Sequence, residues 1–370
     1  MKNTFNELVD KRNEWLLSGK NELKKKEDNY FSKMIEVERL ILSLKEKVKE
    51  NKNIKILTFK LKDDTMLPTF RAGQFISITI KINNRYYTKP YSLISCPSID
   101  NDLEYKIVVK GDSDNIVDDY LFNDIKTGEL VVSSVPTGDF YYNSIRDRKN
   151  VIAIVSDNGI VPIISMIEAI IQGIEEFNLT VFYSGKTKED ILFKEKLDDL
   201  VNKTSRVKII YVLANESFDW CLNGFVTLDR IKEQMSEPGS IFISGSEGLL
   251  KYLDKELEGL KLPKKFIRYE SFLPRCNIRK AQEFKLSIYI NGEKYEAKCY
   301  NNETILSSIL RAGIYVPSKC QNGSCGLCSS ELVKGKVKVI NDKRSRALKK
   351  YNYIHPCSTY PLSDIEIIVR

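Results

Sequence analysis

Four cysteines near the end of this 370-residue chain have the spacing of a metal-binding motif. The stretch CQNGSCGLC, residues 320–328, contains three of them as C-x4-C-x2-C, and the fourth follows after 28 further residues. Four thiolates at this spacing are typical of [2Fe–2S] ligation, and the two glycines let the backbone wrap closely around a cluster and aim N–H groups at its sulfurs. A structural zinc site is the alternative, although such sites usually pair two short Cys or His clusters. The predicted ligands are Cys320, Cys325, Cys328 and Cys357.

An iron–sulfur cluster carries one electron and generates none, so the rest of the chain must supply electrons to it. Between residues 53 and 110, the runs IKILTFKL, GQFISITIKI and EYKIVVKG alternate as strands do and predict an antiparallel barrel. From residue 150 the pattern changes to apolar strands such as VIAIVS and VKIIYVL, separated by helical stretches such as PIISMIEAIIQGI. This second pattern predicts an α/β domain.

The motifs in these regions resemble those of the ferredoxin–NADP reductase superfamily. KPYSLIS and IKTGELVVSSVPTGDF resemble its flavin-binding barrel, and the α/β part resembles its nucleotide-binding half. AGIYVPSKCQNGSCGLCSSELVKGKV and IHPCSTYPLSDIEI resemble plant-type ferredoxins of the β-grasp fold. The expected architecture is a multidomain α/β plus β protein with a helical extension at 1–50, a flavin-binding antiparallel β-barrel at 51–147, a Rossmann-like NAD(P)-binding domain at 148–273 and a β-grasp [2Fe–2S] domain at 283–370.

The resemblance also implies which residues contact a flavin. The family motif R-x-Y-S reads Lys89-Pro90-Tyr91-Ser92 here, where the basic residue would meet a flavin phosphate, the tyrosine would pack on the isoalloxazine and the serine would reach the N5 edge. Asp118 stands where the family has a serine near a phosphate, with Asn115 and Ser113 as nearby substitutes, so FAD and FMN both stay open. The other cofactor-binding residues that the resemblance implies are Val109, Lys110, Gly138, Asn158, Gly159, Pro162 and Lys186. The residues implied at the reaction centre are Ser92, Ser244, Glu270 and Phe272.

The loop in VIAIVSDNGIVPIIS departs from the family at the nucleotide phosphates. The family sequence Gly-Gly-Thr/Ser-Gly-Ile-x-Pro is replaced by SDNGIVP at 156–162, so that Asp157 brings negative charge to a helix end that would otherwise favour an anion. A family cysteine beside the nicotinamide is Ser244 here. Three interpretations stay open. NADH or NADPH binds, with Asp157 turned away to cap the helix; the nucleotide does not bind and another redox protein supplies electrons; or the protein is a non-catalytic redox sensor.

Residues 1–50 have no counterpart in the family. In FSKMIEVERLILSLKEKVKE, apolar residues at alternating spacings of three and four predict a short coiled-coil-like helix with Met34, Val37, Ile41, Leu44 and Val48 along its seam. This segment is interpreted either as a helical hairpin packed on the barrel or as an element for docking or self-association. The only histidine, His355, precedes the fourth cysteine by two residues. It is expected at the surface, and the alternative is a group that hydrogen-bonds near the cluster or gates protons.

The charge distribution bears on the partner. Residues 277–370 carry 16 Lys and Arg against 8 Asp and Glu, so this last quarter accounts for the whole net charge of +8. A basic surface favours acidic partners, although scattered lysines that only aid solubility are the alternative. We interpret this surface as the docking face for an acidic electron-acceptor protein, a metalloenzyme, and not for nucleic acid. The face comprises Lys334, Lys336, Lys338, Lys343, Arg344, Arg346, Lys349 and Lys350.

The remaining features of the sequence bear on location. No apolar run approaches the roughly 18 residues that a membrane span requires, and the N-terminus MKNTFNELVDKRNEW is charged, without a secretory h-region. We therefore expect a cytoplasmic iron–sulfur flavoprotein reductase, which passes electrons from NAD(P)H through FAD, or FMN, to a [2Fe–2S] cluster and on to a partner metalloenzyme. The alternative is an electron-transfer protein with a degenerate nicotinamide site.

Overall fold

The computed structural model describes most of the chain from residue 39 onward. The predictions for Met34 and Val37, together with those for Cys320 and Phe272, lie outside the described residues. The described residues are 39–82, 85–97, 104–111, 115–235, 239–260, 262–270, 281–314, 316–318, 321, 323, 325–340, 342 and 344–369.

The first domain is a nearly closed antiparallel barrel, as predicted. Its six strands lie in the order β4-β3-β6-β1-β2-β5, and a bridge between Leu93 and Ile107 joins the two edges. A short helix, α1 (Ile116–Asp119), follows β5 and caps one side. The strands are β1 (Arg39–Lys49), β2 (Ile54–Leu61), β3 (Phe75–Ile82), β4 (Arg85–Ser92), β5 (Tyr105–Lys110) and β6 (Leu130–Ser134).

The predicted N-terminal helix is wrong over residues 39–49, which form the first barrel strand. Leu40, Leu42 and Leu44 are buried in the barrel core, whereas Ile41 is 46% exposed. This burial has the period of two that a strand requires, and β1 pairs antiparallel with β2. The flavin barrel therefore begins before residue 51. Apolar residues spaced three and four apart are ambiguous in so short a run, and the available partner strand decides the outcome.

The second domain is a parallel sheet with helices, as expected for a Rossmann-like fold. Its strand order is β10-β9-β8-β7-β11-β12. The strands are β7 (Asn150–Ser156), β8 (Asn178–Gly185), β9 (Val207–Leu213), β10 (Cys221–Asn223), β11 (Ser240–Ser244) and β12 (Ile267–Glu270). The helices are α2 (Val161–Ile171), α3 (Lys194–Val201), α4 (Leu228–Glu233) and α5 (Glu247–Glu258).

Parallel pairing in this sheet positions the functional loops. Ser244 at the end of β11 is in register with Val155 on one side and with Glu270 on the other. The carboxyl ends of β7, β11 and β12 therefore meet at one edge, where ligands bind in open α/β sheets. The barrel is fixed to this edge in part by Ser165 of α2, whose buried hydroxyl donates to the Ser95 carbonyl at 2.7 Å.

The C-terminal domain is a mixed sheet covered by one helix, the β-grasp arrangement that was predicted. Strands in the order β14-β13-β19-β15-β17 form the sheet, β16 and β18 pair separately, and a two-residue Asn291-Gly292 turn with positive φ at both residues closes the first hairpin. The elements are β13 (Glu283–Ile290), β14 (Glu293–Tyr300), α6 (Ile305–Arg311), β15 (Ser330–Lys334), β16 (Val337–Val339), α7 (Arg346–Lys350), β17 (Tyr353–Ile354), β18 (Thr359–Pro361) and β19 (Ile365–Val369).

Among the helices in the described part of the chain, none is both long and apolar enough to cross a membrane.

Candidate functional site

A cleft of about 510 Å³ lies where the barrel meets the carboxyl edge of the parallel sheet. Its volume is within the usual range for small-molecule sites. The cleft brings together Ser92 and Glu270, which are 178 positions apart in the sequence. The predicted site residues that line it are Lys89, Pro90, Tyr91, Ser92, Lys110, Asp118, Asn158, Gly159, Ser244 and Glu270.

The barrel wall of the cleft is organised around one buried carboxylate. Lys89 and Tyr91 are two positions apart on β4, so their side chains lie on the same face of the strand. Both reach Asp118 in the first turn of α1. The Lys89 ammonium forms an ion pair with Asp118 Oδ2, and Tyr91 Oη donates to Asp118 Oδ1 at 2.7 Å. Asp118 is only 2% exposed, so these contacts compensate the desolvation of its charge. Burial and the neighbouring carboxylate raise the pKa of Tyr91 well above its ordinary value.

A second carboxyl group lies at the floor of the cleft, between the two domains. Ser92 Oγ donates to Glu270 Oε1, and Ser244 Oγ donates to Glu270 Oε2. Burial raises the pKa of Glu270 to about 7, although the two hydroxyl hydrogen bonds favour its ionised form. Glu270 can therefore hold or release a proton near neutral pH, within contact of a hydroxyl from each wall.

The raised pKa of Glu270 predicts a pH-dependent stability of the cofactor-free protein. The folded state binds the Glu270 proton more tightly than the unfolded state, so the contribution is fully present below pH 4.5 and is lost as pH rises to about 7. Glu270→Gln should remove this loss and stabilise the protein at pH 8 by up to about 3 kcal/mol. Urea unfolding at pH 5 and pH 8 measures the effect.

Glu258 offers a matched control for this measurement, because it is an exposed glutamate at the end of α5. Glu258→Gln should leave the difference between pH 5 and pH 8 unchanged. If Glu270→Gln and wild type lose the same stability between these pH values, the proton is not held at Glu270.

The loop that follows β7 carries the negative charge that the sequence placed at the nucleotide phosphates. Asp157 begins a short 3₁₀ turn with φ at +50°, and its carboxylate accepts from Lys110 Nζ at 2.9 Å. The expectation that Asp157 caps the helix is therefore wrong, because its side chain makes no cap and instead contacts the barrel. The carboxylate is drawn to the barrel by the positive charge of Lys110, with which it forms an ion pair.

Two glycines allow this loop to pack against the end of β11. A Cβ added at Gly159 would lie 2.2 Å from the Ser244 carbonyl oxygen, and one added at Gly245 would lie 2.3 Å from Ser156 Oγ. Next to them, Asn158 Oδ1 is buried without a hydrogen-bond partner among the described groups. A buried orphan acceptor in a cleft fits a ligand that donates a hydrogen bond there.

Five residues predicted to bind a cofactor lie outside the residues that line the cleft. Val109 is fully buried in the barrel core because the strand turns its neighbour Val108 outward to the cleft, and Asn115 caps α1 by accepting from the Val117 N–H. The others are Gly138 beside the Phe75 ring, Pro162 in the first turn of α2 and the exposed Lys186.

In the C-terminal domain, the cysteine loop has a backbone suited to wrapping a cluster. Gln321, Gly323 and Gly326 all have positive φ, and the Gly323 N–H donates to Cys357 Sγ at 3.2 Å. Such amide–sulfur hydrogen bonds are a known influence on cluster potentials. Cys357 is 1% exposed and Cys328 4%, whereas Cys325 is exposed.

His355 is buried beside this loop, so the expectation of a surface position is wrong. It is 3% exposed, and its Nδ1 donates to the Gly323 carbonyl at 2.9 Å. Nε2 has no hydrogen-bond partner among the described groups. The sequence contained a signal for this burial. His355 lies two residues before a predicted ligand, at a position where the family usually has an apolar residue.

The predicted basic face is partly exposed and partly neutralised. Arg344 is largely buried and pairs with Asp342, which Lys349 also contacts at 3.2 Å. The Arg344 hydrogen bond holds the pKa of Asp342 well below its usual range. Lys343 lies outside the described residues. The exposed members are Lys334, Lys336, Lys338, Arg346, Lys349 and Lys350.

Comparison with known proteins agrees with this arrangement of domains. Residues 41–142 match an oxidoreductase FAD-binding domain, 157–255 an oxidoreductase NAD-binding domain and 288–362 a 2Fe-2S iron-sulfur cluster binding domain. The matched domains give FAD as the flavin, NADH or NADPH as the nucleotide and [2Fe–2S] as the cluster.

Individual relatives differ in how much of their length they share with this chain. The ferredoxin reductase component of 3-ketosteroid-9-alpha-monooxygenase from Rhodococcus rhodochrous is 24% identical over 345 residues, covering 88% of this chain and 95% of that one. A flavohemoprotein from Oceanobacillus iheyensis is 26% identical over 239 residues, covering 62% of this chain. This chain spans only 57% of the flavohemoprotein's length.

The solved structure of phthalate dioxygenase reductase supports the same architecture. It covers 90% of this chain and 97% of its own, with a TM-score of 0.64 and 23% identity. The likeness establishes the fold, in which barrel, parallel sheet and iron–sulfur domain follow one another. The chain thus combines an oxidoreductase FAD-binding domain, an oxidoreductase NAD-binding domain and a C-terminal 2Fe-2S iron-sulfur cluster binding domain, in the fold of phthalate dioxygenase reductase.

Proposed function

We propose that this protein is an iron–sulfur flavoprotein reductase, which passes electrons from NADH or NADPH through FAD and a [2Fe–2S] cluster to a partner metalloenzyme. The observation that carries the proposal is the cleft, in which Ser92 of the barrel is connected through Glu270 to Ser244 of the nucleotide-binding half. The cleft thus joins the domain that matches an FAD-binding model to the one that matches an NAD-binding model.

The residues of the cleft fit a flavin ring. Tyr91 offers an aromatic surface and Ser92 a hydroxyl, and Glu270 accepts hydrogen bonds from both walls. When bound, FAD exchanges electrons with a nicotinamide in pairs and with a cluster singly. The chain's part is to orient the ring with Tyr91 and Pro90 and to hold a proton on the Glu270 carboxyl.

The nucleotide and cluster positions also suit the groups proposed for them. Asn158 Oδ1 would accept from a nucleotide, and Gly159 lets the loop approach the end of β11 closely. The four predicted cysteines would hold the cluster, of which Cys328 and Cys357 lie buried in the C-terminal core. We propose that the nucleotide-binding domain extends to residue 273 and that the ferredoxin domain begins at 283.

Anaerobic stopped-flow spectroscopy tests the proposal directly. Mixing the flavin- and cluster-loaded protein with NADH or NADPH should bleach the flavin absorbance and then the cluster absorbance. Cluster bleaching should be slower than, or as fast as, flavin bleaching, because electrons reach the cluster through the flavin. If neither nucleotide bleaches the flavin at millimolar concentration, the proposed donor is wrong.

A second candidate function is favoured by the ion pair between Lys110 and Asp157. Asp157 places a carboxylate at the loop where a pyrophosphate would bind. The positive charge of Lys110 is already neutralised by this carboxylate and is less able to attract a phosphate. In that case another redox protein would supply the electrons. The same experiment separates the candidates, since a reduced ferredoxin or flavodoxin would then bleach the cluster where NADH and NADPH fail.

We further propose that the acceptor is an acidic protein that docks on the exposed lysines of β15, β16 and the turn between them. The ferredoxin reductase component from R. rhodochrous is named for an oxygenase system, which supports a metalloenzyme as the partner. Electrostatic docking is screened by salt, so the transfer rate to the acceptor should fall about tenfold between 20 and 300 mM NaCl. Rates measured by stopped flow across this range check the prediction.

Charge-removing variants locate the docking surface. Lys334→Gln with Lys336→Gln should slow transfer at low salt and flatten its salt dependence. Lys203→Gln with Lys232→Gln removes the same charge from exposed positions of the nucleotide-binding domain and serves as the control. If both pairs slow the transfer equally, net charge and not this surface governs docking.

A further inference from the structure

The lysines of the cleft form ion pairs with carboxylates of the cleft. Among the described residues, the lining contains two lysines, Lys89 and Lys110, and each is paired with a carboxylate of the same lining. FAD and NAD(P)H both carry phosphate anions. A protein normally binds such a cofactor more tightly when its phosphate contacts a lysine or arginine that has no competing carboxylate. The more buried of the two pairs, formed by Lys89 and Asp118, lies on the barrel wall.

We propose that Asp118 is an internal competitor of the flavin phosphate for Lys89, so that the protein gains little affinity from the phosphate and holds its flavin mainly by the ring. The inference rests on the proposed function in one respect, namely that a flavin occupies this cleft. It goes further by assigning a specificity-determining role to Asp118.

The geometry of Asp118 supports this competition. Its side chain is 2% exposed, and both of its oxygens are occupied, one by the Lys89 ammonium and the other by Tyr91 Oη. A ligand phosphate can recruit Lys89 only by leaving a buried carboxylate short of its ion-pair partner, and an unpaired buried charge is strongly unfavourable. The phosphate would also meet the negative charge of Asp118 itself.

The helix that carries Asp118 adds to the same effect. Asn115 Oδ1 accepts from the Val117 N–H at 2.9 Å, so one of the first amides of α1 already has a partner. Asp118 places its own negative charge in this first turn. At the floor of the cleft, the hydrogen-bond partners of Glu270 among the described residues are the hydroxyls of Ser92 and Ser244, so an uncharged ring that binds there need not break an ion pair. Affinity should therefore come from the uncharged part of the ligand.

Three flavins separate the ring from the phosphate. The cofactor-free, full-length protein is titrated with riboflavin, FMN and FAD, and dissociation constants are measured by quenching of flavin fluorescence. In the wild type, FMN should bind within about threefold of riboflavin. In Asp118→Asn, FMN and FAD should bind about tenfold more tightly while riboflavin changes less than threefold, because Lys89 is released for the phosphate.

Two further variants guard this interpretation. Asp119→Asn removes an exposed charge one residue away, where the side chain accepts from Asn123, and should leave all three constants unchanged. The double variant Lys89→Met with Asp118→Asn keeps the wall neutral and should return the ratio of FMN to riboflavin affinity to the wild-type value. It also tests the idea if Asp118→Asn alone misfolds, since no buried charge is left unpaired.

A wild type that binds FMN more than tenfold tighter than riboflavin, with the same ratio in Asp118→Asn, would overturn the inference alone. Failure of all three flavins to bind to wild type and variants would overturn the proposed function and the inference together. The two failures are therefore distinguishable in a single set of titrations.

Discussion

Replacing Cys357 with alanine is expected to abolish the [2Fe–2S] absorption and the delivery of electrons to any one-electron acceptor that receives them from the cluster. The other three predicted ligands belong to one loop, and Cys357 brings the fourth thiolate from a separate segment. A plant-type cluster requires four thiolates, and alanine has no atom that can take the place of the sulfur. The loss of cluster should therefore be complete, not graded.

Iron and sulfide content, together with visible absorption, measure this loss, while flavin content reports on the rest of the molecule. The barrel has a core separate from that of the C-terminal domain, so flavin binding should survive the substitution. Reduction of the flavin by its donor should also survive, which places the block between flavin and acceptor.

Cys299 provides the matched control. It is fully buried in the core of the same domain but lies outside the motif, and its thiol contacts only the Phe284 carbonyl among the hydrogen bonds of the described residues. Cys299→Ala removes the same atom and should keep the cluster, with a loss of stability of about 1 kcal/mol from the small cavity. Equal loss of iron in both variants would mean that each substitution unfolds the domain. The loss in Cys357→Ala would then no longer support a ligand role for Cys357.

The three domains were predictable because each carries a local pattern. Strand alternation, apolar strands with amphipathic helices and cysteine spacing all reside in runs of ten to forty residues. The exception was β1, where Leu40, Leu42 and Leu44 share a run with a helical spacing. Only the pairing of this run with β2, which no single segment encodes, decides that the period of two applies.

The pairing of charges in the cleft was not predictable from the sequence. Asp118 and Asp157 stood out as residues that a phosphate site should not contain, yet their partners Lys89 and Lys110 lie 29 and 47 positions away. The first contact depends on how the barrel packs against its own helix, and the second depends on how two domains meet. The sequence therefore identified the unusual residues correctly, and the structure adds that each of them has a neutralising lysine.

Replacing Asp157 with glycine is expected to lower the dissociation constant for NADH or NADPH by about tenfold to a hundredfold. The substitution removes a carboxylate from the loop at the nucleotide phosphates and releases Lys110 from its ion pair. Like charges a few ångströms apart in a partly screened cleft repel by about 1–3 kcal/mol, which corresponds to that range in affinity. The dependence of the flavin-bleaching rate on nucleotide concentration gives the constant for each protein.

Backbone strain and charge both change in Asp157→Gly, so a second substitution must separate them. Asp157 has φ at +50°, a conformation that costs an L-residue about 1 kcal/mol and costs glycine nothing, although glycine also gives the unfolded chain more freedom. Overall stability should therefore move by less than about 1 kcal/mol. Asp157→Asn keeps a residue that tolerates positive φ and removes only the charge.

If charge governs nucleotide binding, Asp157→Asn should reproduce most of the gain, and Lys110→Met in the wild-type background should weaken binding further by exposing Asp157 to the phosphates. If Asp157→Gly and Asp157→Asn both leave the dissociation constant within twofold of wild type, the pyrophosphate does not approach this loop. The nucleotide that bleaches the flavin would then be held by other residues of the cleft, and Asp157 would have no part in its affinity.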